Sequence, residues 1–206
     1  MGKLLAHLLF WITGWKVEGS YPANVPKSVM IAAPHTSNWD FVYARAAFFI
    51  MEVPLRYTIK KEMMKIAPLG WLLKKLGAIP VERNRERAKK LGQSSLVYGM
   101  VKLFNEHDQL VIMVTPEGTR NFVLKWKTGF YYTALRAGVP IVLGYLDYKK
   151  KHAGIGPTIY PTGNLQEDMD IILGFYAGIT ARFPENGVDP ARMDMDYPET
   201  GAAKAS

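Results

Sequence analysis

The chain has 206 residues, 49% hydrophobic and 21% charged, which fits one folded domain with a substantial core. It contains no cysteine, which excludes a disulfide scaffold, a thiolate nucleophile and a cysteine zinc site. The net charge of +8 is uneven: residues 184–206 carry five acids against two bases and leave +11 on the rest, a surface suited to phospholipid headgroups, phosphorylated metabolites or nucleic acid.

From the N-terminus, Leu4 to Trp15 is a short apolar run, well below the roughly 20 residues that span a bilayer. As a helix it places Leu4, Leu5, Leu8, Ile12 and Trp15 on one side, with Leu9 nearby and Lys3, His7 and Phe10 elsewhere. No small-residue cleavage site follows cleanly, and Ala6 stands where a myristoylation pattern wants Ser or Thr. Residues 1–16 are expected to form an interfacial anchor helix, with an ordinary packing helix as the alternative.

Beyond Ser28, apolar runs rich in β-branched residues cover 29–33, Tyr57 to Ile59, 78–81, Leu110 to Val114, Ile141 to Leu146 and a stretch at Thr158 to Tyr160. Helical patterns lie between them at Phe41 to Met51, Leu69 to Leu76, Arg85 to Asn105 and Phe130 to Arg136, the last stopped by Gly138-Val139-Pro140. This alternation predicts one α/β domain over residues 17–183, a mostly parallel or mixed sheet flanked by helices. Leu165 to Arg182 reads as a final helix. Residues 184–206, polar with Pro, Gly and Asp, read as a loose acidic tail.

The most informative stretch is Pro34-His35-Thr36-Ser37-Asn38-Trp39-Asp40, which follows the run 29–33. His35 falls in the turn after a strand and Asp40 in the first turn of the next helix. On a regular helix, five positions set two side chains about 140° apart, so a bend at Thr36 to Asn38, any of which caps helices, is needed for them to meet. A base held by an acid in this way takes a proton from a hydroxyl. The alternative is a polar capping loop with a chance histidine.

Two further strand ends are unusual. Thr115-Pro116-Glu117-Gly118-Thr119-Arg120 follows 110–114 and suits a turn that offers amides and a guanidinium to an anion, or a plain turn with a salt bridge. Gly77-Ala78-Ile79-Pro80-Val81-Glu82-Arg83 delivers an arginine, which grips phosphate through two parallel hydrogen bonds. Arg85, Arg87, Lys89 and Lys90 read as a solvated helix face.

These blocks carry a resemblance. His35 to Asp40 resembles the His-x4-Asp motif of the glycerolipid acyltransferases, the family that includes the lysophosphatidic acid (1-acylglycerol-3-phosphate) acyltransferases. Gly77 to Arg83 is similar to that family's second block, Pro116 to Arg120 to its third, and Gly138-Val139-Pro140-Ile141-Val142 to its fourth, all in family order. Pro34, Thr115, Asn121, Pro80 and Glu82 depart from the usual residues without removing a reacting group, and point to a side branch. The resemblance implies a glycerol-3-phosphate acyltransferase-like fold. It also implies transfer of an acyl group from acyl-CoA or acyl carrier protein, as co-substrate and with no cofactor or metal, to a lysolipid hydroxyl. His35 would be the general base and Asp40 would fix its tautomer. Arg83, Glu117, Gly118, Thr119 and Arg120 match positions that bind the acceptor's phosphate and glycerol, with Glu117 orienting Arg120 or accepting from a glycerol hydroxyl. Lys60 and Lys61 are additional phosphate contacts. Amides beside His35 or around Gly118 would serve the oxyanion. The enzyme would sit peripherally on the cytoplasmic side of a membrane, on an anionic surface that Lys74, Lys75 and Lys149-Lys150-Lys151 would meet.

An apolar slot for the acyl chain is expected from Met51, Met63, Met64, Leu69, Trp71, Leu72 and Leu73, residues that otherwise read as plain core. Rival readings are a non-catalytic peripheral lipid-binding protein, which has no use for the His35–Asp40 pair, and an acyl-thioester hydrolase. Gly92-Gln93-Ser94-Ser95-Leu96 lacks the second glycine of a nucleophile elbow, and His7, His35, His107 and His152 form no zinc-protease grouping. Nucleic-acid binding finds no motif.

Overall fold

The computed structural model describes residues 2–53, 55–60, 64, 66–75, 77–81, 84–92 and 94–197. In chain order the elements are α1 (Gly2–Thr13), β1 (Lys16–Glu18), β2 (Lys27–Ala33), α2 (Asn38–Ile50), β3 (Leu55–Lys60), α3 (Leu69–Lys75), β4 (Ala78–Val81), α4 (Arg85–Lys90), α5 (Ser95–Glu106), β5 (Leu110–Val114), α6 (Gly129–Ala137), β6 (Ile141–Asp147), β7 (His152–Ile159) and α7 (Leu165–Ala177).

The strands form a single sheet in the order β1-β7-β6-β2-β5-β3-β4. Every neighbouring pair is parallel except β6 with β7. Strands β2, β5 and β6 are central, and Val29, Met30, Ile31, Val111, Ile112, Ile141, Val142 and Leu143 are wholly buried. Burial on both faces is why these strands read as unbroken apolar runs rather than alternating ones. On one face, α5, α6 and α7 contribute Met100, Phe104, Tyr131, Met169 and Tyr176 to the largest core cluster. On the other, α1 and α2 pack together through Ala6, Phe10, Tyr43, Ala46 and Ala47. The sheet is mixed and flanked by helices within one α/β domain, as the alternation of runs predicts.

Several local expectations differ from the structure. The pattern over Arg85 to Asn105 resolves into two helices, because Gly92 takes a left-handed φ of 60° and the Ser94 side chain caps α5 by accepting from Val97 N at 3.2 Å. Strand β7 begins at His152 rather than Thr158, and β1 is an edge strand that no apolar run announces. Helix α1 seats Ala6 and Phe10 against α2, which leaves Leu4, Leu5, Leu8, Trp11 and Ile12 in solvent, while Trp15 folds back into the core beyond the helix end.

The described part of the C-terminal segment is not loose. Met193 and Tyr197 insert into the main core, and the Tyr197 hydroxyl accepts from Trp126 N at 3.1 Å. Lys125 pairs with Asp194 at 2.9 Å, and Arg192 lies 4.0 Å over the Phe122 ring. A few large side chains, spaced widely among polar residues, tie the segment down. Tyr197→Ala should therefore lower unfolding free energy by about 3 kcal/mol, as deletion of a buried aromatic does, when measured by urea denaturation. A loose segment would give a change within about 0.5 kcal/mol.

Candidate active site

Because β6, β2 and β5 are parallel neighbours, their carboxyl ends emerge at one edge of the sheet. Ligands collect at that edge in open α/β sheets. His35 follows β2, Glu117 follows β5 and Tyr148 follows β6.

The turn after β2 passes through a cis Ala33–Pro34 bond to His35, and Ser37 caps α2. The Ser37 side chain accepts from Trp39 N at 3.2 Å, and Asp40 at the third helical position reaches back to Ser37 N at 2.8 Å. This reciprocal capping box is the bend that the five-residue spacing requires. The same Asp40 Oδ2 accepts from Thr36 N at 2.7 Å and from His35 Nδ1 at 3.2 Å. Its other oxygen accepts from the Tyr148 hydroxyl at 2.6 Å. Burial works to raise the Asp40 carboxyl. The bonds from His35, Tyr148, Ser37 and Thr36 outweigh it, and the group stays below the usual carboxylate range.

Glu117 lies beneath this turn. It is 6% exposed, and its Oε1 accepts from His35 N at 3.1 Å, while Oε2 has no hydrogen-bond partner among the described residues. Burial pushes its carboxyl up to about 7, against the amides of Glu117 and His35. Its contact is thus with the backbone that carries the histidine, not with Arg120. Arg120 is exposed and donates to Asn38 Oδ1 at the start of α2. Gly118 adopts φ +67°, and a Cβ there would collide with the Lys127 ammonium. Thr119 Oγ1 faces Asn121 N at 3.4 Å.

The amides expected to bind an oxyanion are largely engaged: His35 N with Glu117, Thr36 N and Ser37 N with Asp40, and Gly118 N with Thr115 O at 3.1 Å. Arg83 and Lys61 lie outside the described residues, and Lys60 is described only as backbone at the end of β3.

A cavity of about 190 Å³ opens beside His35 between α2 and the sheet. Asp40 and Asn38 lie at its polar end. Ala44, Ala47, Phe48, Met51 and Met113 supply apolar wall. Of the residues expected to form an apolar slot, Met51 lines it and Trp71 projects into solvent; Met63 and the side chains of Leu69, Leu72 and Leu73 lie outside the described residues. The pattern that marks the wall is on α2 itself, where small residues at 44 and 47 clear space beside Phe48 and Met51. Tyr148 carries no local signal, since its partner is 108 residues away.

Glu117 gives the site a pH signature. The unfolded chain releases this proton near the ordinary glutamate value of 4.5 and the folded chain near 7, so its contribution to stability falls as pH rises through that window. Glu117→Gln, which keeps an acceptor for His35 N, should therefore gain in melting temperature over the unaltered chain between pH 5 and pH 8. Parallel curves across that range would show that Glu117 is not buried as the neutral acid.

A family model described as Acyltransferase matches residues 15–143. A 1-acyl-sn-glycerol-3-phosphate acyltransferase of Salmonella typhimurium is 33% identical over 134 residues, covering 63% of this chain and 51% of the relative. The enzyme of the same name from Haemophilus influenzae is 32% identical over 142 residues, covering 65% and 55%. The chain thus spans about half the length of the curated relatives it matches. The crystal structure of the 1-acyl-sn-glycerophosphate (LPA) acyltransferase PlsC from Thermotoga maritima superposes with a TM-score of 0.51 at 17% identity, over 83% of this chain and 75% of that one, and shares the fold. With the family model covering more than half of its residues, including both His35 and Asp40, this chain belongs to the acyltransferase family.

Proposed function

We propose that this chain transfers a fatty acyl group from a thioester, on coenzyme A or acyl carrier protein, to the hydroxyl of a lysophospholipid-type acceptor such as a 1-acylglycerol-3-phosphate. The observation that carries this reading is the His35–Asp40 contact at the polar end of an apolar cavity. With Nδ1 turned to Asp40, the proton sits on Nδ1 and Nε2 is the basic nitrogen. It takes the hydroxyl proton as the acceptor oxygen attacks the thioester carbonyl. The tetrahedral intermediate then collapses, the carbon–sulfur bond breaks, and the imidazolium returns the proton to the leaving thiolate. Asp40 remains ionised and stabilises the imidazolium between these steps. The names and sequence similarity of the relatives support the acceptor class.

Arg120 stands in solvent beside Asn38, where a phosphate on the acceptor would meet it. The acyl chain occupies the cavity along α2. A non-catalytic lipid binder has no use for a base held by a buried carboxylate, and Arg120 at the start of the same helix favours a phosphate-bearing acceptor over water.

The acyl-transfer reading is tested by thiol release from palmitoyl-coenzyme A and palmitoyl-acyl carrier protein, with and without a lysolipid panel. The protein has no cysteine to react with the thiol reagent. Release should depend on acceptor and vanish in His35→Ala. Asp40→Asn should slow it by 100-fold or more, on the order of the loss when a base loses its orienting acid. Arg120→Ala should raise KM for a phosphate-bearing acceptor about tenfold. Acceptor-independent release would make the chain a thioesterase, and release undiminished in His35→Ala would remove the base from the mechanism.

The same reading places the chain on a lipid surface. No described helix is long and apolar enough to cross a membrane. Helix α1 instead exposes Leu4, Leu5, Leu8, Trp11 and Ile12, with Trp11 80% exposed. At its C-terminal end Lys151 Nζ caps the Thr13 carbonyl at 3.1 Å, which sets the Lys149–Lys151 turn beside the apolar face. Apolar burial and basic contact reinforce each other at an anionic interface. The chain should float with phosphatidylglycerol vesicles, and Leu8→Glu with Trp11→Glu should abolish flotation without changing the melting temperature. Flotation unchanged in that double variant would assign α1 a packing role.

A further inference from the structure

Tyr148 lies beyond the region matched by the family model, yet among the described residues its hydroxyl makes the shortest hydrogen bond to Asp40, 2.6 Å to Oδ1. The two carboxylate oxygens are unequally loaded. Oδ2 accepts from His35 Nδ1 and from the amides of Thr36 and Ser37, whereas Tyr148 is the contact recorded for Oδ1. The carboxylate is 5% exposed, so water has little access to serve Oδ1 in its place.

Three independent elements hold Tyr148 itself. Its ring meets Trp15 edge-on at 4.9 Å and Tyr43 at 6.1 Å, and its amide donates to the Thr180 carbonyl at 2.9 Å. The Arg182 guanidinium lies 5.8 Å from the ring centroid and also over Trp39 and Phe183. A tyrosine fixed by the turn after α1, by α2 and by the segment after α7 is a rigid donor, and rigid donors set the orientation of what accepts from them.

We propose that Tyr148 is a positioning residue for the catalytic base: its hydroxyl fixes the plane of the Asp40 carboxylate and draws on its charge, which sets both the orientation of His35 and the charge that faces it. A carboxylate that accepts a strong hydrogen bond has less charge to offer an imidazolium. The Tyr148 hydroxyl does not enter the proton transfer. Burial and the facing Asp40 hold its own ionisation far above neutral pH, with Arg182 only partly opposing them. Among the described residues, the charged or titratable groups that face the pair include Glu117 beneath His35, Tyr43 and Arg182 against Tyr148, and Arg120 on Asn38.

The proposal rests on His35 as the base, so its test reads the histidine directly as well as through turnover. Tyr148→Phe keeps the ring and its packing on Trp15 and Tyr43. In the full chain, imidazole proton resonances are followed against pH by NMR, with the His35 signal identified by its loss in His35→Ala. The titration is repeated in a Glu117→Gln background, which removes the coupled titration of the neighbouring acid. In both backgrounds Tyr148→Phe should move the His35 midpoint upward by about 0.5 to 1 unit. It should lower kcat about tenfold while leaving KM for donor and acceptor within about twofold. A His35 midpoint that stays in place, or moves downward, would overturn the proposal, as would a loss confined to KM. If His35→Ala retained transfer, the base reading itself would fail, an outcome separate from any result in Tyr148→Phe.

Discussion

Everything at this site depends on keeping one carboxylate ionised in a place that water barely reaches. Desolvation alone would push Asp40 towards its neutral form, and a neutral acid would neither hold the His35 tautomer nor stabilise its charged form. Four hydrogen bonds prevent that: from the imidazole, from two consecutive amides and from a distant tyrosine. Two of the four donors are backbone N–H groups at the start of α2, which need an acceptor wherever the helix begins. The capping of a helix and the ionisation of the carboxylate that holds His35 are thus one interaction here, and neither can be altered without the other.

Parallel topology supplies the rest. A central strand with parallel neighbours on both sides brings three loop starts to one edge, so residues far apart in sequence converge without any long-range search for register. From one side, Glu117 takes up the amide of His35. From the other, Tyr148 takes up the free oxygen of Asp40. The histidine loop is clamped from β5 and β6 while its own strand anchors it from below. Phe183 N adds a further tie through Thr36 Oγ1 at 3.2 Å. A short polar turn held from so many directions has little freedom to drift from the geometry that the proposed proton transfer requires.

What the sequence discloses and what it hides follow from the range of the interactions. Strand ends are legible because β-branched runs stop at polar, turn-forming residues, and the His35–Asp40 spacing is legible because both partners sit on one turn. Glu117 has the right identity in the third motif, yet its partner lies 82 residues away and its burial depends on strand order, which no local pattern states. Tyr148 follows an apolar run and Asp147 at the head of a lysine-rich turn, where nothing local marks its partner. The break at Gly92 is masked by helix-favouring stretches on either side, and the backbone sign at that glycine with the cap at Ser94 reveals it. The C-terminal segment misleads for the opposite reason. Its composition is that of a solvated tail, and its attachment depends on two large side chains, Met193 and Tyr197, with no periodicity between them.

The aromatic cluster at the junction of α1 and α2 gives the proposed membrane contact a physical link to the base. Phe10, Trp15, Tyr43 and Tyr148 touch in sequence, with Trp15 and Tyr43 stacked at 4.4 Å. The first belongs to the helix whose other face is bare apolar surface, and the last donates to Asp40. An acyl chain leaving lipid for water loses about 0.8 kcal/mol per methylene, so an enzyme acting on such chains gains most when its cavity and its apolar surface adjoin. Helix α2 carries both, since it packs on α1 and also walls the cavity through Ala44, Ala47 and Phe48. The layer that would settle on the bilayer is therefore the layer that orients the carboxylate, and a shift of α1 against α2 would be felt at Tyr148 through contacts between rigid rings rather than through a flexible loop.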